Sequence, residues 1–221
     1  LSIENYFDLN ASVNTQNSGS SRINLVKDAI IGTANVSYKN YLFAEATVRR
    51  DRTSTMNPNQ NSFVYPSVNA SFLFSDAFKL PAFISYGKVR ASWGVVGNYP
   101  APYLANVVYS PNTLGVQAVG GSAVLYTTIP GSFGNEGIKP EEKHEIEFGL
   151  EARFFKNRVN FEASYYNGQI VDQILPLTLP STSGATSILT NIGTLRNKGF
   201  EMAVSGTPIQ NKRIRWETGI N

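Results

Sequence analysis

The chain has 221 residues, of which 42% are hydrophobic and only 16% charged; its net charge is +3, with one histidine and no cysteine. Without cysteine there is no disulfide framework, thiolate metal site or cysteine nucleophile. One histidine cannot build a multi-histidine zinc site, and the scattered Lys and Arg residues form no nucleic-acid-binding stripe.

Taken in order, the chain alternates apolar and polar residues with period two, the mark of β-strands. The first strand sets Phe7, Leu9, Ala11 and Val13 against Asp8, Asn10, Ser12 and Asn14, so no signal peptide is expected in these residues. A polar loop follows over residues 15–27. The second strand places Ile30, Gly32, Ala34, Val36 and Tyr38 on one face. Lys39-Asn40 is a short turn, and Leu42, Ala44, Ala46 and Val48 make one face of the third strand. Residues 50–62 read as an irregular link around Asn57-Pro58-Asn59. The fourth strand carries Pro66, Val68, Ala70, Phe72 and Phe74, with Pro66 expected near its start because proline donates no ladder hydrogen bond. One helical turn over residues 75–80 is expected, capped by Ser75 and stopped before Pro81. The fifth strand sets Val89, Ala91, Trp93 and Val95 against Lys88, Arg90, Ser92 and Gly94. The longest irregular region spans residues 97–140 and holds Tyr99, Tyr103, Tyr109 and Tyr126.

Residues 142–166 then form the clearest hairpin. One face carries His144, Ile146, Phe148, Leu150, Ala152 and Phe154, and after the Lys156-Asn157 turn Val159, Phe161, Ala163 and Tyr165. Glu145, Glu147, Glu151, Arg153 and Glu162 take the other face. Its arms match the about nine to eleven residues of a transmembrane β-strand better than the usual five or six. Residues 168–198 are expected to be a second long link. An eighth strand follows with Phe200, Met202 and Val204, and a ninth, from Ile214 to Ile220, is cut off at Asn221.

Short and long links alternate, so one rim carries turns and the other loops, as in an outer-membrane barrel. The polar face holds Glu45, Arg49, Lys88, Arg90 and Glu201 besides the hairpin glutamates, which a wet lumen accepts. Tyr38 with Tyr41, and Phe154 with Phe155, flank two short turns as an interfacial belt would. The reading is all-β: an antiparallel up-and-down transmembrane β-barrel, of which this chain is a fragment of about nine strands. The alternatives are a soluble, secreted β-sandwich that binds glycans and a β-rich enzyme that cleaves them. Glu145, Glu147 and Glu151 share one polar strand face instead of facing across a cleft, and His144 lies on the apolar side, so no catalytic residue is assigned. No metal or cofactor is expected.

Several stretches resemble the SusC/RagA-type TonB-dependent outer-membrane transporters of Bacteroidetes-like bacteria. Arg49-Arg50-Asp51-Arg52-Thr53-Ser54 is similar to a signature of that family, with Arg52 where the family has glycine. Residues 65–72, 88–98 (KVRASWGVVGN), 138–141, 145–150, 154–159 with 165–167, and 191–201 (NIGTLRNKGFE) match further barrel segments in order and spacing. The resemblance implies a barrel of about 22 strands in the bacterial outer membrane, of which residues 1–221 are the middle part. The plug, the TonB-binding segment, the signal peptide and the remaining strands are expected elsewhere. It implies import of a bulky nutrient, oligosaccharide or peptide, with a SusD-like surface lipoprotein and TonB as partners, lipid around the barrel and no nucleic acid. Tyr99, Tyr103, Tyr109 and Tyr126 become candidate substrate contacts, since aromatic platforms with nearby hydrogen-bonding groups hold sugars; the alternative for each is packing within the loops or contact with the lipoprotein.

Overall fold

The computed structural model describes residues 22–105, 110–114, 124–128 and 131–221. The expected strand at residues 7–14 lies outside them. The strands are β1 (Lys27–Tyr38), β2 (Leu42–Thr53), β3 (Ser62–Phe72), β4 (Ile84–Asn98), β5 (Ser110–Leu114), β6 (Val124–Thr128), β7 (Ser132–Phe133), β8 (Glu141–Phe154), β9 (Val159–Thr178), β10 (Ser187–Gln210) and β11 (Arg215–Ile220). One sheet runs β1-β2-β3-β4-β8-β9-β10-β11, each neighbour antiparallel, with β7 added in parallel to β10; β5 and β6 pair separately.

The register places like with like. One row crosses the sheet as Val36, Ala44, Ala70, Ala91, Phe148, Tyr165 and Phe200. The adjacent row is Asn35, Glu45, Asn69, Ser92, Glu147, Tyr166 and Gly199. A one-residue slip would exchange the two faces, so the alternation itself pins the pairing. The apolar face is bare: Phe148 is 49% and Phe200 66% exposed, and among the described residues no second sheet covers it. A sandwich would bury this face, and that is the observation against the soluble alternative.

The sheet is also sheared. The row at the Lys39-Asn40 turn, Tyr38 with Leu42, leads to Met202, whereas the next tight turn, after Phe154, aligns with Gly206. The turn rim thus slides four residues along β10, the stagger that a tilted barrel wall requires. Both turns use left-handed residues other than glycine: Lys39 and Asn40 (φ 47° and 59°), then Phe155, Lys156 and Asn157 (φ 55°, 58° and 64°). Two such residues in succession match the right-handed twist of the flanking strands. Aromatic rings follow this rim. Tyr38, Tyr41, Phe72 and Phe78 meet edge to face at 5.7–5.9 Å, and Phe83 stacks on Phe154 at 6.5 Å and touches Phe155.

Four expectations change. Pro66 is the fifth residue of β3, not near its start; pairing with β4 begins only at Ser67, so the missing N–H falls beside an unpaired stretch. The helical turn is Phe74–Ala77, with Leu73 at its N-cap. The Ser75 hydroxyl binds Asp76 and the Gly87 carbonyl instead of capping the turn. Residues 97–140 are not wholly irregular, because β5, β6 and β7 form there. Residues 168–198 are not a long link: β9 and β10 continue through them and turn at residues 179–186. At about 3.4 Å per residue, β10 spans on the order of 80 Å, far more than the about ten residues that cross a bilayer. The β9–β10 hairpin therefore projects beyond the apolar band on the long-loop rim.

Candidate functional site

Among the described residues, the buried apolar cluster lies at that rim. Met56 from the β2–β3 link, Ala105 after β4 and Ile138 before β8 pack together, Ile138 with 1% exposure. Phe63, Tyr99, Ile174 and Leu189 close around them, so the projecting hairpin is tied to two loops by apolar contact. A polar clasp secures the same junction. The Asn191 side chain accepts from the Lys139 N–H (2.8 Å) and donates to the carbonyls of Lys139 (2.9 Å) and Asp172 (2.7 Å). Asp172 has φ +55° and β10 changes register between Asn191 and Leu195, so Asn191 holds a bulge in place. Glu141 accepts from the Ile174 N–H and from Asn98 Nδ2. The stretches Ile138-Lys139-Pro140-Glu141 and Asn191-Ile192-Gly193, far apart in sequence, are the two halves of this junction.

Beneath it, on the polar face, a cleft of about 560 Å³ opens, lined by Lys27, Arg49, Asp51, Tyr65, Tyr99 and Glu145 among others. Uncharged Ser67, Asn69 and Ser92 extend its floor. Arg49 forms an ion pair with Asp51. Lys27 Nζ sits 5.5 Å from the centre of the Tyr99 ring, within cation–π range. Tyr99 also touches Phe63 (6.1 Å) and Tyr65 (6.3 Å between ring centres), which joins the apolar cluster to the cleft. Tyr65 is only 5% exposed. Its hydroxyl and that of Tyr99 lie close to each other, yet neither has a partner at hydrogen-bonding geometry among the described residues. Burial pushes the Tyr99 phenol above its ordinary pKa. The cleft thus offers aromatic faces, two unused hydroxyls and charges of both signs, a set suited to holding a polar ligand.

Lower on the same face a charge ladder runs across three strands, β4, β8 and β9. Lys88 meets Glu151 at 3.2 Å, Arg90 meets Glu147 at 3.0 Å and Glu162 at 3.7 Å, and Lys143 meets Glu145 at 2.6 Å. Arg90 lies across Gly149, its register partner; a Cβ there would stand 2.2 Å from Arg90 Nε. Glu145, Glu147, Glu151 and Glu162 are therefore ion-paired wall residues on one strand face.

Of the four tyrosines singled out in the sequence, Tyr99 lines the cleft. Tyr103, with φ +67° and 55% exposure, does not. Tyr109 and the side chain of Tyr126 lie outside the described residues. Tyr65 was not among the candidates, although it stands at a polar-face position of β3 opposite Arg49 and two residues from Ser67.

The family model "TonB dependent receptor-like, beta-barrel" matches residues 2–221. TonB-dependent receptor P3 of Formosa agariphila is 30% identical over 196 residues, 87% of this chain and 19% of the relative. TonB-dependent receptor SusC of Bacteroides thetaiotaomicron is 25% identical over 86% of this chain and 19% of its own length. The chain therefore spans about a fifth of the curated relatives it matches. Among solved structures, the RagAB peptide importer in its "open-open" state superposes with a TM-score of 0.77 over 96% of this chain and 24% of that one, at 23% identity. The siderophore receptor PirA of Pseudomonas aeruginosa gives 0.56 at 19% identity over 88% of this chain and 33% of that one, a likeness of fold. A sheared wall with one bare apolar face, one charged face and a turn rim opposite a loop rim is what such a barrel requires, and the chain belongs to the TonB-dependent receptor-like β-barrel family of the bacterial outer membrane.

Proposed function

We propose that the whole protein imports a bulky nutrient, an oligosaccharide or a peptide, through the outer membrane, and that residues 1–221 are a middle part of its barrel wall. The observation that carries this reading is the pairing of a lipid-compatible face with a polar face that bears a ligand-sized cleft near the loop rim. A SusD-like surface lipoprotein is the partner that would deliver the ligand from the loop side. TonB would supply energy through a segment outside these residues. Tyr99, with Tyr65 beside it, is the first proposed contact; Tyr103, Tyr109 and Tyr126 are further proposed contacts from the loops. Aromatic rings flanked by hydroxyl, carboxylate and guanidinium groups hold either a sugar ring or a peptide bond, so the cleft itself admits both substrate classes.

The test is deletion of the protein in its own bacterium, scored by growth on panels of oligosaccharides and of peptides. Growth on one class is expected to fail, to return with the intact gene and to depend on TonB. A Tyr99→Ala variant should lower uptake by roughly tenfold, as loss of a stacking and hydrogen-bonding contact does. Unchanged growth on every substrate, or uptake that persists without TonB, overturns the reading.

A further inference from the structure

The outward face of β9 and β10 changes character at a single row. Read upward from the turn rim, the outward residues of β10 are Val204, Met202, Phe200, Lys198 and Arg196. Their partners on β9 are Phe161, Ala163, Tyr165, Asn167 and Gln169. Apolar residues thus give way together to two cations and two neutral amides. The inward face of the same two strands carries the opposite sign, in Glu162 and Glu201. Arg196 and Lys198 are exposed, and neither has an ion-pair partner among the described residues. The neighbouring acids are engaged or displaced. Glu142 on β8 faces His144 at 3.1 Å, and Asp172 sits in the bulge held by Asn191.

Two cations two residues apart on one strand face stand roughly 7 Å from each other, a spacing that the oxygens of one phosphate can bridge. Directly below lies a continuous apolar surface, with Phe200 and Met202 at least half exposed and Tyr165 and Phe148 beside them. Free phosphate would meet only solvated charges, which bind weakly. A phosphorylated lipid would meet the same charges while its acyl chains cover the apolar surface, and each cation at such a boundary adds to the other. The long-loop rim of an outer-membrane barrel faces outward, so this row lies at the headgroup level of the outer leaflet.

We propose that Arg196 and Lys198, flanked by Gln169 and Asn167, seat the phosphate of an outer-leaflet lipid whose chains lie along Tyr165, Phe200 and Met202. The site is independent of the transported substrate.

The full-length protein, purified in a neutral detergent, is titrated with bisphosphorylated lipid A and with the same lipid after removal of its phosphates, and bound lipid is counted by native mass spectrometry. The phosphorylated form is expected to bind preferentially. Arg196→Gln with Lys198→Gln should weaken it by a factor on the order of ten, and the exchange Arg196→Lys with Lys198→Arg should retain it. Lys212→Gln with Arg213→Gln, in the turn between β10 and β11, removes the same charge at the opposite rim and should leave binding unchanged. Heat-modifiable gel mobility reports that each variant is a folded barrel; the single substitutions replace the double one if it is not recovered folded. Equal binding of the two lipids, wild-type binding by the glutamine variants, or an equal loss in the turn variant overturns the proposal.

Discussion

Gly149 and Asn191 carry more of this structure than their size suggests. Gly149 leaves room for the Arg90 guanidinium to cross to Glu147 and Glu162 on the two following strands. A Gly149→Ala variant puts a methyl group within van der Waals overlap of Arg90 and is expected to cost about 1–3 kcal/mol, as overpacking does. Chemical unfolding of the full-length barrel in detergent measures it. An unchanged midpoint would mean that Arg90 leaves the ladder freely. Asn191 makes three bonds to backbone groups of Lys139 and Asp172. Asn191→Ala leaves those groups unmet, a loss of about 1–3 kcal/mol. It should appear as faster hydrogen exchange at Lys139, whose N–H is the one Asn191 accepts, while exchange in the β8–β9 ladder stays slow. The glutamates and Arg90 were legible in the sequence as one polar face. Their ion pairs were not, because which of several facing charges meet depends on register and on a missing Cβ.

At the scale of elements, the two faces of β8 predict opposite responses. Phe148→Arg places a cation on the bare apolar face and is expected to destabilise the barrel by about 2–4 kcal/mol if that row lies near the bilayer midplane. Glu147→Gln, one residue away on the wet face, should change stability far less. Refolding of the full-length protein into lipid vesicles at graded denaturant compares them, and equal effects would contradict the face assignment. The β9–β10 projection makes a different prediction. Ile138→Ala removes buried volume from the apolar cluster, where such changes cost about 2–5 kcal/mol. The expected result is protease cleavage within residues 179–186 in an otherwise folded barrel, since the cluster holds the projection and not the membrane band. The extent of these two strands escaped the alternation pattern. Above the bilayer β9 and β10 have no lipid to face, so the apolar–polar alternation lapses while the ladder continues; Gly168, Pro176 and Gly193 then read as loop residues.

For the whole molecule, the apolar face has to meet something other than water. The isolated 221 residues are expected to associate or precipitate in plain buffer and to stay dispersed only in detergent, which size-exclusion chromatography distinguishes; a cooperative, monomeric fold in buffer would remove the barrel reading. The sequence alone determined the strand class, the two faces and the tight turns at Lys39-Asn40 and Lys156-Asn157. Each follows from local periodicity and turn chemistry, which survive in one dimension. Only the tertiary structure decided that two distant motif stretches clasp each other, that Tyr65 and Tyr99 share a cleft, and that the wall is sheared by four residues along β10. Those features arise from register across six ladders and from contacts between residues tens of positions apart, which no window of the sequence contains.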